Sequence, residues 1–378
     1  MATLLRELFH DVSRRASEIA SELSKMTGSV PSEVEAYRAR MERMATTAAT
    51  IASTMSTDPD LDDPNFAVNF FRDYKDVARL VQSLEHLPLL VLRRFSEPDR
   101  RMTAVVARIC DEIDYPYDAP VCSSLSSQYF WTVAGMDLLF VPCLEPDHLL
   151  GLPDIYHELG HIILFREEKT FIFPALSIVD RHFDKLVADG LRGNWPRQSI
   201  EQVEGFRHSW RLSWLLEFGA DLIATYTSGP VFGWCNIRTS TNLGGELFGG
   251  NETHPADDAR AATIGLMLNR MGEYDVAERI RVRWSELVGL SGESPPPRYD
   301  VTYPATLQQE LVDFIYLECE RLGLRRWGVR DAATTVGGAV DSAWETFRNH
   351  PANFGGHERR GLAALTAHID SLQSTYGQ

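Results

Sequence analysis

The stretch PDIYHELGHIILFRE, residues 153–167, decides how the whole chain is interpreted. Its length and apolar content predict a helix, and Asp154 in the first turn favours the positive end of the helix dipole. Because residues four apart lie on one face of a helix, His157 and His161 can direct both imidazoles at one metal ion. Glu158 lies a step around the helix, where its carboxylate can reach a water on that ion. This HExxH arrangement predicts a zinc site.

A catalytic zinc needs a third protein ligand and an open coordination position. The candidate is Glu217, in the apolar helix predicted over residues 204–228, EGFRHSWRLSWLLEFGADLIATYTS. Asp221 lies one turn further on the same face, where it can accept a hydrogen bond from the far nitrogen of a ligating histidine. The alternative interpretation is an exposed acidic pair. It fits poorly, because nearly all the neighbours are apolar and carboxylates in such surroundings need partners.

A third segment, THPADDAR, follows at residues 253–260. The order HELGH, EFGAD, THPADDAR resembles the gluzincin metallopeptidases, and most of all the family of the CAAX prenyl proteases and the membrane heat-shock proteases. In that family the HExxH histidines and the first glutamate of an ExxxD helix bind zinc, which implies His157, His161 and Glu217 as ligands of one catalytic Zn²⁺. The family's general base implies the same role for Glu158.

The resemblance also implies roles for residues around the metal. The aspartate of the ExxxD helix supports a zinc ligand in that family, which implies Asp221. A His-Pro segment followed by an arginine has its counterpart in His254 and Arg260. His254 has two interpretations, a donor to the oxyanion of the tetrahedral intermediate or a cap for the helix that follows. Arg260 is expected to pair with a carboxylate such as Asp221 or Asp257 rather than to bind substrate.

Composition separates this chain from the usual members of that family, which are embedded in membranes. It contains no apolar stretch near the ~20 residues that a span requires, so a membrane-embedded or prenylated substrate is not implied. A net charge of −16 argues against binding to nucleic acid or to an anionic membrane surface. Five cysteines without a CxxC pair, and an N-terminus charged from Arg6 onward, lead us to expect a cytoplasmic protein with free thiols.

The predicted fold is α+β and mostly helical. Amphipathic periods predict an N-terminal helical region, residues 1–118, before a zincin-like catalytic domain with a helical C-terminal part, residues 119–378. The runs QYFWTV and MDLLFVP, on either side of Ala134-Gly135, predict a small antiparallel sheet. The glycine-rich run FGWCNIRTSTNLGGELFGGNETHP is expected to be a loop.

These features predict a soluble zinc metallopeptidase that hydrolyses bonds in a peptide or protein substrate. Glu158 takes the proton of a zinc-activated water and delivers it to the leaving amine. Two alternatives stay open: a zinc-binding module with a scaffold or sensor role, which the intact Glu158 disfavours, and a zinc hydrolase of a non-peptide amide. The N-terminal helical region is expected to recruit a partner or to restrict access to the cleft.

Overall fold

The chain forms two compact units in this computed structural model, Met1–Arg100 and Arg101–Gln378. The residues that the structure describes are 2–126, 129–242, 246–328 and 334–376. The division comes before the boundary expected after residue 118. The helix Glu97–Glu112 accounts for the difference, because its later turns contribute side chains to the core of the second unit, namely Met102, Val106 and Ile109.

The first unit is built from helices. They are α1 Ala2–Lys25, α2 Ser32–Ser56, α3 Ala67–Leu84, α4 Leu90–Arg93 and the first residues of α5 Glu97–Glu112. The buried residues of α1 recur every three or four positions, as a helix with one apolar face requires; they are Leu5, Phe9, Val12, Ala16, Ile19 and Leu23. Gly28 lies in the break between α1 and α2 with a φ of +74°, a left-handed conformation that favours glycine.

Within the described residues, the second unit contains one three-stranded sheet. The strands are β1 Val121–Ser126, β2 Trp131–Val133 and β3 Leu138–Pro142, in the order β1–β3–β2. β2 and β3 form the predicted hairpin and pair antiparallel. The expectation of a purely antiparallel sheet is wrong, because β1 pairs parallel with β3. The sequence does not predict β1, since VCSSLS lacks apolar and polar alternation and its first four residues are all buried.

The other long elements of the second unit are helices. They are α6 Pro153–Arg166, α7 Phe173–Arg192, α8 Arg197–Ser209, α9 Leu215–Ser228, α10 Pro230–Asn242, α11 Asp257–Arg270, α12 Tyr274–Ser291, α13 Tyr299–Thr302, α14 Ala305–Leu322, α15 Val336–Asn349 and α16 Phe354–Tyr376. α10 corrects the expectation of a loop. Burial of Phe232 and Cys235 outweighs the weak helix propensity of this glycine- and asparagine-containing run. Residues 243–245 of the expected loop lie outside the described residues.

α6 and α9 approach each other closely, and this contact positions the candidate site. A Cβ built on Gly160 would lie 2.9 Å from the Ala220 Cα, and one on Gly219 would lie 2.9 Å from a methyl carbon of Leu164. Only glycine therefore fits at position 160, where the neighbour is backbone, whereas a side chain at position 219 would require Leu164 to shift. α8 leads into α9 through one π-helical turn, Trp210–Trp214, a feature that often occurs beside functional residues.

The cysteines are free thiols. All five lie in the described residues and none is bonded to another; Cys143 is exposed and the other four are buried. The part of the chain that the structure describes contains no helix long and apolar enough to cross a membrane.

Candidate metal centre

Three donor side chains from α6 and α9 converge on one point. His157 Nε2 lies 3.1 Å from His161 Nε2; Glu217 Oε2 lies 3.5 Å from His157 Nε2, and Glu217 Oε1 lies 3.5 Å from His161 Nε2. The donors of a tetrahedral zinc ion with bonds of roughly 2.0 Å are about 3.3 Å apart, so this spacing fits one ion. Two imidazoles and one carboxylate are also a donor set of catalytic zinc sites. The residues present therefore fit the zinc ion that the sequence implies.

Asp221 orients His157 from the side away from the other donors. The carboxylate Oδ1 lies 2.8 Å from His157 Nδ1, which leaves Nε2 to face His161 and Glu217. Arg260 on α11 donates two hydrogen bonds of 2.7 Å to the same carboxylate, which is fully buried. A carboxylate in this position fixes the tautomer of a ligating imidazole and raises its basicity.

Burial and neighbouring charges separate the pKa values of the donors. Burial disfavours the charged form of His157, but the carboxylates of Asp221 and Glu217 outweigh it and raise the pKa of His157 to about 10. Burial and the charge on His157 lower the pKa of His161 to about 4. Burial opposes ionisation of Glu217, yet His157 and its neighbours hold the pKa of that carboxyl well below its usual range. The centre thus holds one proton where a cation would bind.

Glu158 follows His157 on α6 and does not belong to the donor cluster. Its side chain is only 6% exposed, and burial raises its pKa to about 7. A carboxyl whose pKa lies near neutral pH can both accept and return a proton during a reaction. Glu158 therefore has the properties of a general base.

Two cavities meet at the centre. The larger, about 590 Å³, is called the apolar cavity; its wall includes Trp131, Leu164, Phe165, Ile172, Leu215 and Leu216. The smaller, about 440 Å³, is called the polar cavity; its wall includes Tyr129, Asp154, Asn236, Ser240, Glu246 and Asp257. Both are bordered by the same five residues, Phe130, His157, Glu158, Glu217 and His254. The metal donors and the base thus lie where the two cavities join.

The His254 imidazole stands at the edge of this cleft. Its side chain is 54% exposed, and its Nε2 lies 3.8 Å from a Glu217 oxygen. The Nδ1 lies 2.8 Å from the Thr253 hydroxyl, and the backbone N–H donates to the Asn251 side chain. The indole N–H of Trp214, in the π turn before Glu217, donates to the Asn251 carbonyl. The π turn therefore positions the loop that carries His254.

The sequence does not identify four residues of the polar cavity as part of the site, namely Tyr129, Asn236, Ser240 and Glu246. Asp154 is half-buried, and it accepts a 2.6 Å hydrogen bond from Tyr129. Asp154 lies four residues before Glu158, which places both carboxyl groups on one face of α6. This spacing is the one local feature of the sequence that could have indicated Asp154 as a neighbour of the site.

No family model, no curated protein and no solved structure matches the chain. The function is therefore argued from the geometry of the centre.

Proposed function

We propose that the chain is a zinc-dependent metallopeptidase of the gluzincin type, with a zincin-like catalytic part. The observation that carries the proposal is the convergence of His157, His161 and Glu217 at the spacing of a tetrahedral zinc site, beside the buried carboxyl of Glu158. Two neutral imidazoles and one carboxylate leave a coordination position open for a water or a substrate.

The cleft has room for an extended peptide. β2 is an outer strand of the sheet, and its residues Trp131 and Thr132 line the apolar cavity. An outer strand offers backbone N–H and C=O groups to which a peptide can add, and this mode of binding reads backbone more than side chains. A polypeptide substrate therefore suits this cleft.

The residues of the chain divide the steps of hydrolysis among them. When bound, zinc lowers the pKa of a water and polarises a carbonyl group. Glu158 accepts the proton of the attacking water and then delivers it to the leaving amine. Asp221 keeps the remaining proton of His157 on Nδ1, so that Nε2 faces the donors. The Thr253 hydroxyl, which donates to the Asn251 side chain, lies 2.8 Å from His254 Nδ1 and holds the imidazole at the cleft, where a hydrogen on Nε2 would be donated to the developing oxyanion.

The test is cleavage of a mixed peptide library, with zinc content determined on the same samples. The variants are Glu158→Gln and a matched control, Glu168→Gln, which removes an exposed carboxylate from the same cleft. We expect all three proteins to bind one zinc ion. The wild type and the control cut peptides, whereas loss of the base lowers the rate of Glu158→Gln by about 10²- to 10⁴-fold.

Other results would favour the two alternative functions. Zinc bound by every variant without cleavage of any peptide would contradict the proposal and favour a scaffold or sensor role. Alternatively, the wild type would hydrolyse small non-peptide amides and no peptide, and this activity would be lost in Glu158→Gln. That result would support the same mechanism with a different class of substrate. Protein without stoichiometric zinc after loading would remove the basis of the proposal.

A further inference from the structure

The two cavities that meet at the metal centre have walls of different chemistry. In the apolar cavity, Phe165 is 57% exposed and Leu216 is 37% exposed, so large apolar side chains face the space beside the donors. The charged residues of that wall, Glu168 and Arg211, have opposite signs. Displacing water from this wall favours an apolar side chain of the substrate.

The wall of the polar cavity carries an excess of negative charge. Asp154, Glu246 and Asp257 line it, and within the described residues none of the three forms an ion pair. The arginine of this wall, Arg260, is already paired with Asp221 at 2.7 Å. An excess of carboxylates in a cleft raises the local concentration of cationic groups and disfavours anionic ones.

A buried amide provides independent evidence that a ligand enters the polar cavity. Asn236 on α10 lines the cavity and is 6% exposed. Its side-chain nitrogen has no hydrogen-bond partner within the described residues. A buried N–H without an acceptor costs free energy, so such groups occur where a ligand or a water completes the hydrogen bond. The carbonyl oxygen of a bound peptide is an acceptor of the required kind.

β2 and the residues before it run along the cleft from one cavity to the other. Tyr129 lines the polar cavity, Phe130 borders both, and Trp131 and Thr132 line the apolar cavity. A peptide that pairs antiparallel with this outer strand, which is the commoner pairing, runs from the apolar cavity to the polar cavity. The residue before the scissile bond then lies in the apolar cavity, and the residue after it lies in the polar cavity.

We propose that the protein cuts extended peptides between a large apolar residue and a basic residue, lysine or arginine. Glu246 and Asp257 select the basic side chain, and Phe165 contributes to selection of the apolar one. This substrate class rests on the proposed function, since the cavities are subsites of one reaction only if a peptide bond is cut at the metal centre.

The experiment uses the full-length, zinc-loaded protein and starts from the cut sites in a mixed peptide library, identified by mass spectrometry. Two internally quenched fluorescent peptides of equal length are then compared. Both have Phe before the scissile bond, and one has Lys and the other Glu after it. We expect kcat/KM to be at least about tenfold higher for the Lys peptide, because the wall repels the Glu side chain. A third peptide with Ala in place of Phe measures selection by the apolar cavity.

Variants assign the preference to particular side chains. Glu246→Gln, at an exposed position, and Asp257→Asn are each expected to lower the Lys-over-Glu ratio by about threefold or more, since each removes one charge from the wall. Glu168→Gln is the matched control, because it removes a carboxylate from the apolar cavity, and it should leave this ratio unchanged within about twofold. Phe165→Ala should lower the Phe-over-Ala ratio and leave the Lys-over-Glu ratio unchanged.

Each outcome separates the substrate class from the proposed function. Efficient cleavage without preference for Lys over Glu, or a preference that persists in both Glu246→Gln and Asp257→Asn, would overturn the substrate class and leave the peptidase. Cuts with the basic residue before the bond would support the two subsites and show that the peptide runs parallel to β2. Absence of any cleavage by the zinc-loaded wild type would overturn both proposals.

Discussion

The Asp221 carboxylate contacts two partners at once: it orients the His157 imidazole and neutralises the charge of the Arg260 guanidinium. Its carboxylate is fully buried and accepts two hydrogen bonds from the guanidinium. We expect Asp221→Asn to lower the free energy of unfolding of the metal-free protein by about 3–5 kcal/mol, because it leaves a buried arginine without its counter-charge. Denaturant unfolding measures this loss.

The control for Asp221→Asn is an exposed pair of the same residue types. Asp313→Asn breaks the Arg270–Asp313 pair, whose side chains are 38% and 50% exposed. Solvent screens such a pair, so we expect a change of less than about 1 kcal/mol. Equal losses in the two variants would contradict a structural role for the buried pair.

The proton on His157 predicts how zinc affinity depends on pH. Burial opposes this proton, but Asp221 and Glu217 raise the pKa to about 10, so zinc must displace the proton at neutral pH. His161, whose pKa burial lowers to about 4, is neutral there and releases none. Affinity should therefore rise by at least about tenfold per pH unit from about pH 8 to about pH 9, and more where the zinc-bound water also loses a proton.

Competition with a chelator of known affinity measures this dependence. Calorimetry in two buffers of different ionisation enthalpy gives the number of protons released on zinc binding, which we expect to lie between about one, from His157, and about two, when the zinc-bound water also loses a proton. A zinc affinity that does not change over this range would show that His157 is neutral in the metal-free protein.

At the scale of the elements, the close approach of α6 and α9 brings the donors together. A Cβ on Gly160 would lie 2.9 Å from the backbone of Ala220. We expect Gly160→Ala to push the helices apart, to lower the free energy of unfolding by about 1–3 kcal/mol and to weaken zinc binding. Gly205→Ala is the control, because its Cβ would meet no atom within 4 Å and alanine favours the helix. A zinc affinity unchanged in Gly160→Ala would mean that α6 and α9 tolerate a wider spacing.

Local spacing explains how much of the centre the sequence predicts. Two pairs of site residues are each one helical turn apart, His157 with His161 and Glu217 with Asp221. The sequence spacing alone therefore predicts that the members of each pair lie on one face of a helix. The apolar period of α1, and the length and apolar content of α6 and α9, likewise predict helices with little dependence on the rest of the fold.

Long-range packing explains what the sequence does not predict. β1 is stabilised by parallel pairing with β3, and α10 by the burial of its consecutive residues 230–236, neither of which local propensity reveals. The polar cavity combines Tyr129, Asn236 and Asp257 from three separate segments. The hydrogen bond from Tyr129 to Asp154 also depends on tertiary structure, since the position of Asp154 in a first turn suggests only an interaction with the helix dipole.

At the scale of the whole molecule, tryptophan fluorescence reports on one unit alone. All eight tryptophans follow residue 100, so they belong to Arg101–Gln378, as do all three candidate zinc donors. The first unit contains tyrosine but no tryptophan. Thermal unfolding followed by tryptophan emission therefore measures the stability of the unit that carries the centre.

Zinc should stabilise this unit by binding its folded state. With free zinc a hundredfold above Kd, the free energy of unfolding rises by about 2.7 kcal/mol, so the tryptophan-detected midpoint increases and chelation reverses the increase. His157→Ala removes one donor and should abolish most of the shift at the same zinc concentration. Zinc bound to the unfolded chain would reduce the shift in both proteins alike. A shift of equal size in His157→Ala would therefore show that zinc acts at another site and would contradict the assignment of the three donors.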